Sequence, residues 1–240
     1  MALQSRFIDY QHGDITLQAE MCWDDSVSGK RPGILIAPNW AGRSPQDGKV
    51  ARKLAEQGYV GFALDMYGKG ILGTSVEENT ANMQPLMQDR AKLQQRLTCA
   101  LDTLSEQPEV DTTRVAIIGY CFGGLCALDM ARAGHAIVGA VSFHGLFAKP
   151  DNLSPSNIDA KVLILHGWDD PMALPDSVLG VAAELTDAGA DWQLHAYGNT
   201  MHAFTAPAAN DPEHGTVYSA SADRRSWQSM LNFLDELFTD

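Results

Sequence analysis

Short, almost wholly apolar runs recur along the chain with stretches of helical spacing between them, and that alternation leaves few folds open. The runs at residues 33–37, 59–64, 115–119, 137–143, 162–165 and 192–197 are dominated by aliphatic and aromatic residues. A strand without a polar side is covered on both faces, which is the signature of a parallel sheet flanked by helices. Ahead of them, residues 4–10 and 15–23 alternate in polarity and read as an antiparallel entry hairpin. Apolar spacing predicts helices over 46–57, 85–104, 123–132, 175–188 and 224–237, the last carrying Trp227, Met230, Leu231, Leu234 and Leu237 in one stripe. Gly58 and Gly189 follow helical stretches and precede strands, where a left-handed cap residue is wanted. The expected fold class is α/β, with a mostly parallel central sheet of about eight strands and helices on both faces.

No repeat, low-complexity tract or Pro/Gly/Ser linker divides the chain, so residues 1–240 read as one domain. At this length roughly three quarters of the unfolded surface can be buried, and neither a disulfide nor a metal staple is required. The 17 Lys+Arg and 30 Asp+Glu leave a net charge of −13 and no cationic block, which excludes nucleic acid as an expected partner. No apolar stretch approaches the ~18 residues that span a bilayer, and the first thirty residues carry no basic-then-apolar leader pattern. A cytoplasmic protein without a membrane partner is expected. The four cysteines, Cys22, Cys99, Cys121 and Cys126, show neither C-x-x-C pairing nor zinc-finger spacing, so no metal and no cofactor are expected.

Two longer loops, at 66–80 and 205–218, are expected at the carboxyl ends of strands, where ligand crevices of open α/β sheets lie. The sharpest motif is Gly119-Tyr120-Cys121-Phe122-Gly123-Gly124, set between the strand at 115–119 and the helix that follows. It has the form of a nucleophile elbow, in which the chain turns from strand to helix so tightly that side chains at the flanking glycines would collide with their neighbours. A thiol at that turn has two aids: the helix N-terminus favours a thiolate, and the Phe122 N–H points where an oxyanion forms. Cys22, Cys99 and Cys126 lack this setting and read as core cysteines.

A cysteine nucleophile needs a base, and the base an orienting acid. Residues 162–171, ending His166-Gly167-Trp168-Asp169-Asp170-Pro171, form a buried strand with acidic side chains past its end. Asp170, in a turn set by Pro171, is preferred over Asp169, which is expected to cap or face solvent. His202 follows the last strand and is the expected base; His144 and His166 end strands near the same rim and compete with it. The order nucleophile, acid, histidine is that of the α/β-hydrolase architecture.

These residues resemble the dienelactone hydrolase family of the α/β-hydrolase superfamily. The similarity rests on Gly-Tyr-Cys-Phe-Gly-Gly at 119–124, His-Gly-x-x-Asp at 166–170, His202-Ala203-Phe204 and Asp65-Met66-Tyr67, and extends from residue 33 to the last helix. The resemblance implies the α/β-hydrolase fold, a Cys121–His202–Asp170 triad, and hydrolysis of a small-molecule ester or lactone through a thioester. Trp40 is placed to give the second oxyanion-hole N–H beside Phe122. The sequence departs from the family pattern at Asn39, where a glutamate is usual, and at Ala206, where an arginine that grips a substrate carboxylate would stand. Arg43, Arg90, Arg224 and Arg225 are the alternative cations.

Trp40, Tyr67, Phe122, Phe143, Trp168 and Phe204 lie near strand ends, with Asn39 and Arg90, as candidate pocket residues. A thiol-based redox protein is an alternative reading, but Cys126 lies about 1.5 helical turns beyond Cys121, a poor geometry for a disulfide. A catalytically inactive binding module on the same fold is another. Metal-assisted hydrolysis by His144, His166, His202, Asp169 and Asp170 has no recognisable ligand spacing. The expected assembly is a monomer or homodimer.

Overall fold

The computed structural model describes residues 2–153 and 157–239. The chain opens with a hairpin of β1 (Leu3–His12) and β2 (Ile15–Asp24), closed by a two-residue turn in which Gly13 takes φ 58°. There follow β3 (Arg31–Ala37), α1 (Pro45–Ala55), β4 (Val60–Ala63), α2 (Val76–Gln88), α3 (Arg90–Ser105), β5 (Val110–Tyr120), α4 (Phe122–Arg132) and β6 (Gly139–Phe143). β7 (Lys161–Gly167), α5 (Pro175–Asp187), β8 (Trp192–Tyr197), the two-residue strands β9 (Asn210–Asp211) and β10 (Thr216–Val217), and α6 (Ala220–Thr239) complete it.

The first eight strands form one sheet in the order β1-β2-β4-β3-β5-β6-β7-β8. β1 and β2 pair antiparallel, as do β2 and β4, and every other pair in the sheet is parallel. Each residue of β3, β4 and β6 is buried, which is why these strands lack a polar side. One core packs Leu93, Leu97, Leu125, Val178 and Leu185 of α3, α4 and α5 on one face; the other packs Val50, Leu54, Met230, Phe233 and Leu234 of α1 and α6 on the opposite face.

The helix expected over 85–104 is two helices. α2 starts inside the expected 66–80 loop, because Ser75 accepts the Glu78 N–H (3.2 Å) and places Glu77 and Glu78 in the first turn. Pro85 therefore lies within α2 rather than at a helix start. Asp89 breaks the run at φ −124°, ψ 83°, and its side chain caps α3 by accepting the Lys92 N–H at 3.0 Å. The second loop is also less irregular than its composition suggests, since β9 and β10 pair within it.

The tightest packing lies where β5 meets α4. A Cβ on Gly119 would fall 1.9 Å from the Gly123 carbonyl oxygen, and one on Gly123 would fall 2.1 Å from the Ala37 carbonyl oxygen of β3. Both obstacles are backbone, so neither can swing aside. Gly119→Ala is expected to lower unfolding free energy by about 3 kcal/mol or more in urea titrations. Gly134→Ala, at φ 66° with open space around it, should cost only about 1 kcal/mol. Equal losses at the two positions would refute this reading of the turn.

Candidate active site

Cys121 connects β5 to α4 with φ 56° and ψ −115°, a left-handed conformation that a non-glycine residue holds only when its surroundings impose it. Its N–H donates to the Phe143 carbonyl at the end of β6 (3.0 Å), and its carbonyl accepts the Gly124 N–H (2.9 Å). The half-buried thiol is thereby turned out of the sheet into a cavity. Phe122, fully buried, is the first residue of α4, so its N–H has no intrahelical acceptor.

The loop after β3 lies beside it. Asn39 folds its Oδ1 onto the Ala41 N–H (2.9 Å) and its carbonyl accepts the Gly42 N–H (3.1 Å), while the Tyr67 hydroxyl donates to the Trp40 carbonyl (2.9 Å). Tyr67 in turn stacks on Phe122 with ring centroids 6.4 Å apart. These bonds hold the loop through its carbonyls and leave the Trp40 N–H undonated among the described residues.

Asp170 follows β7 and is 1% exposed. Its Oδ1 accepts the Met172 N–H (2.8 Å) and its Oδ2 accepts His202 Nδ1–H (2.7 Å), which assigns the tautomer. Asp169 is exposed and reaches the same region only through its N–H, donated to the Thr200 carbonyl (2.9 Å). His202 is held by backbone bonds to Gly215 (2.9 Å) and Val217 (3.1 Å), so the β9–β10 segment fixes the histidine loop. Burial pushes the imidazole down, but the hydrogen bond with Asp170 and the neighbouring Cys121 sulfur outweigh it and raise the pKa to about 10. The Cys121 sulfur is near enough to His202 for both hydrogen bonding and charge to favour the protonated ring, although Nε2 closes no hydrogen bond.

His144 sits edge-on to His202 with ring centroids 5.0 Å apart, and its Nε2 pairs with the Thr205 hydroxyl at 2.8 Å. Burial and the charge on His202 hold its pKa well below the ordinary histidine value, so this ring is neutral. His166 is fully buried beneath the rim with both ring nitrogens unpartnered among the described residues, and burial lowers it too.

Cys121 and His202 open onto a cavity of about 400 Å³, which Asn39, Trp40 and Ala206 also line. Phe122, Phe143, Phe204 and Tyr67 stand behind its wall: Phe143 stacks on Tyr120 at 4.7 Å, and Phe204 packs against His144 at 5.1 Å. Trp168 is 45% exposed away from the cavity. Arg90 is not a pocket residue, because it is buried in a forked ion pair with Asp129 (2.6 and 2.7 Å) that Arg132 and Glu184 extend. Arg43, Arg224 and Arg225 also lie off the cavity wall. The wall residues that sequence reasoning passed over include Tyr120, Thr205, Met83, Leu146, Met172 and a set on α1 and α6; His144 had appeared only as a competing base. No cluster of three or more His, Cys, Asp or Glu side chains suited to a metal occurs among the described residues, and no described helix is long and apolar enough to cross a membrane.

The sequence matches the dienelactone hydrolase family over residues 18–238. An uncharacterised protein of Caenorhabditis elegans is 34% identical over 150 residues, covering 61% of this chain and 95% of that protein. The solved structure m3DLH, 37% identical, superposes with a TM-score of 0.95 over 99% of this chain and 100% of its own. A dienelactone hydrolase-like promiscuous phosphotriesterase from metagenomic libraries, 36% identical, superposes with a TM-score of 0.92 over 99% of both chains.

The Asp170–His202 pair has a measurable signature. NMR titration should show the His202 ring keeping its proton to about pH 10, and Asp170→Asn should bring its titration toward the free value of 6.5. Since the folded pKa lies above the unfolded one, the stability from this proton is complete below pH 6.5 and is lost as pH rises through 10. A ring that titrates near 6.5 in the wild type would contradict the assignment.

Proposed function

The chain belongs to the dienelactone hydrolase family, and from that premise we propose that it hydrolyses carboxylic esters or lactones with Cys121 as nucleophile, His202 as base and Asp170 as the orienting acid. The observation that carries this reading is the convergence, in one cavity, of a left-handed cysteine at a strand-to-helix turn and an imidazole held by a buried carboxylate at 2.7 Å.

The thiol proton already resides on His202, whose ring is held protonated, and the resulting thiolate attacks the substrate carbonyl carbon. Negative charge moves onto the carbonyl oxygen, which the N–H groups of Phe122 and Trp40 are positioned to receive. The tetrahedral adduct collapses as the C–O bond breaks, His202 returns its proton to the leaving oxygen, and a thioester on Cys121 remains. Water then gives a proton to His202 and attacks the thioester, and the acid departs as the Cys121 thiolate is released beside the protonated His202. Esters and lactones suit this site because their leaving oxygens need less assistance than an amide nitrogen.

The redox reading draws little support, because Cys126 is fully buried and burial pushes its thiol well up, away from a reactive thiolate. Ala206 leaves that part of the wall uncharged, which favours a substrate without a carboxylate at that position. The phosphotriesterase named for a 36% identical relative makes an activated phosphotriester a second electrophile worth including in any substrate panel.

Chromogenic short-chain esters and an unsaturated lactone should be cleaved by the wild type, and Cys121→Ala should lose about 10³-fold or more in kcat/KM, with a similar loss in His202→Ala. Iodoacetamide should label Cys121 faster than a free thiol and more slowly in His202→Ala. A wild type inert to the whole panel, or an alanine variant that keeps its rate, rejects the covalent mechanism.

A further inference from the structure

The cavity does not end at Cys121. Its wall includes an arm formed by Asp47, Val50 and Lys53 of α1, Asp223 and Trp227 of α6, and Tyr120 of β5, where Lys53 reaches the Trp227 ring. Setting aside the two histidines and Cys121, the acidic and basic side chains of the wall are Asp47, Asp223 and Lys53, two carboxyl groups against one amine.

Neither carboxylate is fully compensated. Asp47 is 5% exposed, and its Oδ2 accepts the N–H and the hydroxyl of Ser44, both at 2.8 Å. Asp223 accepts the Tyr218 hydroxyl at 3.1 Å. Burial drives both pKa values up despite these bonds and despite the charge of Arg43 near Asp47 and of Lys53 near Asp223. The Tyr120 hydroxyl makes no hydrogen bond among the described residues, and after burial it is the fields of Asp47 and Asp223 that push it up, so both carboxylates bear on the same spot.

The protein already seats a cation on this surface. The Lys53 ammonium lies 5.3 Å from the centroid of the Trp227 ring, and its charge lowers Asp223. Lys53 itself is exposed and its long side chain can withdraw into solvent. A neutral apolar group in this arm would bury the carboxylates further without supplying a counter-charge, and a carboxylate would meet two like charges beside a lysine already engaged.

We infer that the arm between α1 and α6 is a specificity subsite for an ammonium group carried on the substrate, held by Asp223 and Asp47 and by the faces of Trp227 and Tyr120. The inference rests on the ester-hydrolase reading, since it places the ammonium in the cavity that Cys121 opens onto. The selected substrates would then be amino esters, or esters bearing a quaternary ammonium.

The test compares p-nitrophenyl esters of 4-(trimethylammonio)butanoic acid, its neutral isostere 5,5-dimethylhexanoic acid, and glutaric acid as the monoester. The wild type should favour the cationic ester over the neutral one by about tenfold in kcat/KM, as one cation–π contact plus a partly screened ion pair supplies. Asp223→Asn should bring the ratio close to one, Lys53→Met should raise it, and added salt should lower it in the wild type. The ratio is taken within each variant, so a general loss of activity or folding cancels. A wild-type ratio near one or below, a preference for the glutaric monoester, or a ratio unchanged in Asp223→Asn would overturn the subsite. Failure of the hydrolase reading looks different: the neutral ester would be untouched, or its cleavage would survive Cys121→Ala.

Discussion

The close backbone approach of β5, β3 and α4 at Gly119 and Gly123 is the constraint on which the rest of the structure depends. Because no side chain fits there, the chain leaves the sheet and enters the helix within two residues, and Cys121 takes its left-handed conformation as a consequence. The Phe143 carbonyl holds that conformation through the Cys121 N–H, so the neighbouring strand carries part of the strain. The same turn puts the first amide of α4 next to the sulfur, where the helix N-terminus favours negative charge. Position, exposure and field at the thiol thus have a single mechanical origin.

The rim is divided electrostatically between three histidines. His202, bonded to the buried Asp170 carboxylate, is raised to about 10, whereas His144, 5.0 Å away, is held neutral by burial and by the charge on His202 itself. His166 lies buried below them and is lowered as well. The Asp170 carboxylate in direct contact and the neighbouring Cys121 sulfur thus separate one ring that retains a proton from two that burial lowers. The backbone bonds of His202 to Gly215 and Val217 matter for the same reason, because they fix the ring against Asp170.

Tyr67, Phe122, Phe143 and Phe204 back the cavity's wall, while Trp40 and Tyr120 form part of its surface. Tyr67 stacks on Phe122 while its hydroxyl fixes the Trp40 carbonyl; Phe143 backs Tyr120, and Phe204 backs His144. The Tyr67 ring is buried and its hydroxyl finds a partner in the Trp40 carbonyl. Most of the cavity surface comes instead from loops and from α1 and α6, which pack on the same face of the sheet.

The amino-acid order alone determined the strand pattern, the single sheet and the turn at Cys121, because each rests on local properties: a strand buried on both faces has no polar side, and a tight turn demands glycine. It also brought Asp170 and His202 forward by their place after strands. The start of α2 was legible in the Ser75–Glu78 capping pattern, yet the glycines before it masked that signal. Tertiary structure alone decided that Arg90 is consumed by Asp129 and that Asp47, Lys53, Asp223 and Trp227 share one cavity. Those pairings join residues tens of positions apart, and charge and hydrophobicity along a sequence carry no record of which distant surfaces the packing of helices on a sheet will bring face to face.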